Sequence, residues 1–132
     1  MSFKHLVVAL LCASIVSLFA CSTMVPVVNY PGTPVETSSG KATLKDVKRA
    51  IVFAGTRIGW QMQPAGDDQI LASLFSSGHI IKVDIKYSTK SYSITYRESS
   101  NFDYNGKTIK PEYNEWVSDL HDKIRDELKK IK

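Results

Sequence analysis

The chain has 132 residues, of which 43% are hydrophobic and 23% charged, with 17 Lys plus Arg against 13 Asp plus Glu. It contains no internal repeat and no low-complexity tract, which excludes solenoid and fibrous architectures and leaves room for one domain. The formal net charge of +4 is modest, and two cysteines are too few for a disulfide framework.

The first feature in chain order is apolar. Residues 6–20, LVVALLCASIVSLFA, carry no charge and follow Lys4 and His5. Such a run falls short of the about 20 residues that cross a bilayer and suits the core of a signal peptide. It closes on Leu18-Phe19-Ala20-Cys21, which resembles the lipobox of bacterial lipoproteins. The resemblance implies that residues 1–20 are removed and that Cys21 becomes an acylated N-terminus. Each buried methylene of an acyl chain contributes about 0.8 kcal/mol, so a multiply acylated cysteine stays in the membrane. Ser22 stands where an Asp retains lipoproteins in the inner membrane. The expected location is therefore the periplasmic face of the outer membrane, with inner-membrane retention as the lesser option. An ordinary secretory signal and an uncleaved anchor stay open as alternatives.

On this reading Cys12 is lost with the leader and Cys21 carries lipid. The mature chain then has no thiol for a nucleophile, a metal ligand or a disulfide. A domain outside the cytoplasm is not expected to meet nucleic acid.

Residues 21–42 contain Pro26, Pro31 and Pro34 and end near Ser38-Ser39-Gly40. No helix or strand period is sustained, so the segment reads as the lipidated cysteine and a flexible tether. Residues 22–42 would span roughly 70 Å when extended and about 25 Å as a coil. The alternative is that Val25, Val27 and Val28 pack on the domain.

Residues 43–132 form the single domain, long enough to hold a core without staples. Thr43 and Asp46 make a capping pair ahead of an apolar run. Leu44, Val47, Ile51, Ala54 and Ile58 share one helical face, and Gly59 supplies a left-handed stop. The period then changes to two. Trp60 and Met62 alternate with Gln61 and Gln63, and Ile70, Ala72 and Leu74 mark a second strand. Ile81, Val83, Ile85 and Tyr87 mark a third, and Tyr92, Ile94 and Tyr96 a fourth. The short connections predict antiparallel neighbours, hence a four-stranded meander. Asn105-Gly106 predicts a tight turn that closes a small hairpin between Phe102 and Ile109. Pro111 opens the last helix, whose apolar stripe is Tyr113, Trp116, Val117, Leu120, Ile124, Leu128 and Ile131. The expected fold is α+β: a two-layer sandwich with both helices on one face of the sheet.

The domain offers little catalytic chemistry. His79 and His121 are far apart in sequence, and neither accompanies a nucleophile motif. His121 reads as a solvated helix residue and His79 as the start of a strand. Asp67-Asp68 lacks the spaced oxygen ligands that calcium needs. No enzyme activity, cofactor or metal is expected. Lys82, Lys86 and Arg97 fall on the polar face of the sheet, where they form a candidate patch for anionic lipid or an acidic partner. The aromatic residues read mainly as core, with a stacking surface at the sheet rim as the alternative.

The body of the domain also resembles a group of small proteobacterial lipoproteins. The resemblance covers residues 60–117 and rests on Trp60, His79, Val83-Asp84-Ile85-Lys86-Tyr87, Tyr92-Ser93-Ile94-Thr95-Tyr96, Ser99 or Ser100, Phe102-Asp103-Tyr104 and Tyr113-Asn114-Glu115-Trp116-Val117. Lys110 and Pro111 stand where that group is expected to carry a histidine. The resemblance implies no established activity. The functional expectation is a lipid-anchored, non-enzymatic module that binds an envelope protein or serves envelope assembly. Its competitor is a small-ligand receptor or enzyme with a pocket near His79 and the strand tyrosines Tyr92 and Tyr96.

Overall fold

The computed structural model describes residues 23–132. The leader and Cys21 lie outside the described residues. In chain order the elements are β1 (Val25–Pro26), β2 (Tyr30–Pro34), α1 (Leu44–Arg57), β3 (Gln61–Pro64), β4 (Gln69–Ser76), β5 (His79–Tyr87), β6 (Ser91–Ser100), β7 (Thr108–Ile109) and α2 (Pro111–Lys129).

Helix α1 starts at the capping pair. Thr43 Oγ1 accepts the Asp46 N–H at 3.1 Å, and Asp46 Oδ2 accepts the Thr43 N–H at 3.2 Å. Two amides of the helix start are thereby satisfied, and hydrogen bonding of the Asp46 carboxyl to the Thr43 side chain and amide holds it below its usual range. The helix stops before Gly59, whose φ of +90° suits glycine. Val47, Ala50, Ile51, Ala54 and Gly55 face the core. Gly55 is needed for close approach: a Cβ there would stand 2.2 Å from Met62 Sδ on β3.

Strands β3 to β6 form the predicted meander, but the sheet has five strands in the order β2-β6-β5-β4-β3, all antiparallel. The fifth comes from the segment expected to be a tether. Tyr30 pairs with Ile94, Thr33 with Tyr92 and Pro34 with Ser91, around an irregularity that includes Gly32 at φ +56°. β1 pairs with β7, setting Val25 opposite Ile109. The Asn105 turn forms as predicted, with Asn105 Oδ1 accepting the Lys107 and Thr108 amides. The expected hairpin between Phe102 and Ile109 is corrected: no strand forms at Phe102, and β7 takes β1 as its strand partner instead.

The tether expectation is therefore corrected for residues 25–38. Prolines argue against a central strand, but an edge strand accepts them because its outer amides need no partner. The segment runs the length of α2 as a strap. Asn114 Nδ2 donates to the Pro26 carbonyl at 2.9 Å, and its Oδ1 accepts the Val28 amide at 3.0 Å. Tyr30 stacks on His121 with ring centroids 4.0 Å apart. The Ser38 amide donates to the Ile131 carbonyl at 3.1 Å, and the Ser38 hydroxyl donates to the Lys129 carbonyl.

The two helices pack on each other and share one core with the inward face of the sheet. Ile51, Ile70, Ile81, Ile85, Ile94, Leu120 and Ile124 are fully buried within it. Each such side chain contributes about 1.5–3 kcal/mol relative to exposure. β5 alternates as predicted, with Ile81, Val83, Ile85 and Tyr87 inward and Lys82, Asp84 and Lys86 outward.

Candidate functional site

The outward face of the sheet carries the predicted basic residues, and most of them already have partners. Lys82 Nζ lies 2.7 Å from Glu98 Oε1, and Arg97 Nη1 lies 2.9 Å from Asp84 Oδ1. A register shift between Lys82 and Val83 makes Arg97 the extra residue of β6, set beside that carboxylate. Lys86 is exposed and meets no carboxylate among the described residues. Exposed pairs of this kind contribute little to stability, but they cancel most of the charge that an anionic partner would recognise. Asp67 and Asp68 lie in an exposed turn, and their carbonyls accept from the Tyr87 hydroxyl and amide.

His121 is not solvated. It is 9% exposed, stacked under Tyr30, and shares a 3.0 Å hydrogen bond between its Nδ1 and Tyr92 Oη. Helical spacing explains this, because His121 lies four residues after Val117 and three before Ile124, both on the apolar stripe. Burial holds the imidazole below its ordinary pKa; Asp122 opposes that shift and Arg125 adds to it. Burial likewise pushes the Tyr92 hydroxyl upward. With the strap closed over it, this trio packs as part of the structural core.

His79 sits in different surroundings. Its ring meets Phe102 edge-on at 5.1 Å and Trp116 at 6.4 Å, and Nδ1 lies 3.1 Å from the Ser77 carbonyl. Phe102 continues the contact to Tyr113 at 6.3 Å, Tyr113 to Tyr96 at 5.4 Å, and Tyr96 to Tyr104 at 4.2 Å. A ladder of rings thus crosses the domain and surfaces at Trp116.

Two cavities flank Trp116. One of about 560 Å³ lies between the end of β4 and α2, lined by Trp60, Leu74, Phe75, Trp116, Asp119 and Lys123 among others. The second, about 260 Å³, is lined by Ser77, His79, Phe102, Lys110, Glu112 and Trp116. Phe75 is 53% exposed at the rim of the first. The pairing of β3 with β4 ends at Gln61 opposite Ser73, so Leu74–Ser76 has no strand on that side. Apolar rings therefore stand beside an open backbone edge. A third cavity, about 320 Å³ between the helices, is lined largely by long charged side chains such as Arg49, Glu127 and Lys130.

The structure thus brings Trp60, His79, Phe102 and Trp116 together at one end. It places Tyr92 elsewhere, with His121, and Tyr96 deeper in the ladder, where its hydroxyl bonds to Ser99 Oγ at 2.9 Å. His79, Tyr92 and Tyr96 do not converge on one pocket. Sequence reasoning missed Phe75, whose outward position follows from the inward alternation of Ile70, Ala72 and Leu74. Among the described residues no group of three or more His, Cys, Asp and Glu is placed to hold a metal ion, and no helix is long and apolar enough to cross a membrane. Comparison with protein-family models, curated proteins and solved structures returns no match.

Proposed function

We propose that the chain is a lipid-anchored, non-enzymatic binding module of the bacterial envelope. Acylated Cys21 holds it to the periplasmic face of the outer membrane, and the groove beside Trp116 receives an extended segment of an envelope protein. The helices form the second layer of an α+β sandwich over the inward sheet face and leave this end of β4 uncovered.

One observation carries the binding half of the reading. The unpaired Leu74–Ser76 edge borders a groove floored by Trp60 and Trp116 and rimmed by exposed Phe75. An added strand uses backbone hydrogen bonds for affinity and side-chain pockets for choice, and aromatic anchors supply most of the energy. The ion-paired polar face offers a weaker surface than this groove. The anchoring half rests on the sequence of the leader.

The test uses a photo-crosslinking amino acid at position 75 in cells, with position 86 as the comparison. Capture of a defined peptide segment from position 75, and not from position 86, is expected. A synthetic peptide of that segment should shift the intrinsic fluorescence of the purified protein, because both of its tryptophans line the groove. Phe75→Ser should weaken that binding about tenfold, the size of a hot-spot contribution of about 1.4 kcal/mol. Dominant capture from position 86, or a peptide that leaves the fluorescence unmoved, sinks the groove assignment.

A further inference from the structure

We infer that the domain lies against the bilayer surface, with the β1 end and the start of α2 facing the lipid headgroups. The inference rests on the proposal that Cys21 is acylated. A flexible tether would let the domain stand well away from the membrane. The strap removes that freedom.

The reach follows from the chain. Val25 is fixed opposite Ile109, the Val27 amide donates to the Lys107 carbonyl at 3.1 Å, and Asn114 grips both Pro26 and Val28. From the Cα of Cys21 to that of Val25 are four steps, at most about 14 Å when fully extended at roughly 3.6 Å each. The acyl-bearing atoms are therefore held close to the point where β1 begins. β1 starts at Val25 opposite Ile109 and runs antiparallel to β7, so its first residue lies beside Lys110 and Pro111, the start of α2. Lys110 is held near Asp103, with Nζ and Oδ2 3.5 Å apart.

The other end of the molecule lies far from the anchor point. The strap meets α2 first at Asn114, then at His121, and last at Lys129 and Ile131. It thus travels along α2 from the anchored end to the far end. At 1.5 Å per residue, Glu112 and Lys129 lie about 26 Å apart along the helix axis. The cavity of His79 is lined by Lys110 and Glu112, so it lies at the end of the domain that faces the membrane.

The experiment uses the acylated full-length protein in phosphatidylethanolamine–phosphatidylglycerol vesicles that contain a headgroup-quencher lipid. On the proposed processing the mature chain has no free thiol, so Glu112→Cys and Lys129→Cys each accept a single fluorescent label. Both positions are exposed. Several-fold stronger quenching at position 112 than at position 129 is expected. A Gly/Ser spacer of about 20 residues inserted after Ser22, with a coil span near 25 Å, should bring the two values together. Mass spectrometry of the same samples reads acylation separately. Acylated protein with equal quenching at both positions, or unchanged by the spacer, overturns the inference and leaves the anchor standing. Protein without acyl chains on Cys21 overturns both.

Discussion

His79 and His121 each sit inside an aromatic cluster, and the two clusters differ in what covers them. Around His121, Tyr92 is 1% exposed and the strap lays Tyr30 over the ring. Around His79, the rings of Phe102 and Trp116 lead outward to two cavities that flank Trp116, one lined by His79 and the other rimmed by Phe75, which is 53% exposed. The residue types are nearly the same. The closed cluster pairs the Tyr92 hydroxyl with His121 Nδ1 inside the fold and so adds stability and a single geometry. The open one leaves aromatic area uncovered beside an unpaired strand edge, which is a feature of binding surfaces. Coverage by residues 25–38, more than composition, separates the two roles.

The strongest way to break this comparison is to truncate one ring from each cluster. Tyr92→Ala removes a fully buried ring and should cost about 3–5 kcal/mol. Phe75→Ala should stay within about 0.5 kcal/mol, as for a surface site. Urea unfolding measures both, and comparable losses would show that the Phe75 region is as much a part of the core as Tyr92. A finer cut is Tyr92→Phe, which keeps the ring and deletes the bond to His121 Nδ1. Leaving that buried nitrogen unpaired should cost about 1–3 kcal/mol, read from the shift in urea midpoint at unchanged slope.

The same contrast explains what was legible in the sequence. The meander and both helices were legible because Ile81, Val83, Ile85 and Tyr87 alternate cleanly and because Val117, Leu120, Ile124 and Leu128 keep a helical period. β1 and β2 were not. They are two and five residues long and carry three prolines, so their pairing is decided by the free edge of β6 and by β7 rather than by any pattern of their own. His121 was misread from its polar neighbours Asp119, Asp122 and Arg125, although its spacing from Val117 and Ile124 placed it on the stripe. The groove was partly legible. Trp60, His79 and Trp116 stood out as residues, but their convergence depends on where β3 stops pairing with β4, and no local sequence signal states that.

The strap itself supplies the next test. Asn114 makes two hydrogen bonds to it, one to Pro26 and one from Val28. Asn114→Ala should cost about 1 kcal/mol of global stability. The larger effect should be local, as faster amide exchange at Val25, Val27 and Val28 with little change in the core strands. If exchange quickens equally throughout, the strap is one cooperative unit with the core, and the covering of His121 cannot be adjusted separately from the fold.

The smallest effect separates the clusters by proton rather than by volume. Burial lowers the pKa of His121, with Asp122 opposing and Arg125 reinforcing the shift, and the faces of Tyr30 and Tyr92 pack against it from β2 and β6. An unfolded histidine titrates near about 6.5. Between that value and the lower folded value the unfolded chain binds more protons, so stability rises with pH across the window. The contribution is complete above the unfolded value and is lost as pH falls below it toward the folded one. Tyr30→Ala should admit water to the ring, bring its folded pKa back toward the unfolded value, and flatten the slope. Urea midpoints measured across this window for the wild type and Tyr30→Ala read the difference. An unchanged slope would mean that residues other than the strap keep His121 dry, and the distinction between a covered and an uncovered histidine would then have to rest on α2 and β6 alone.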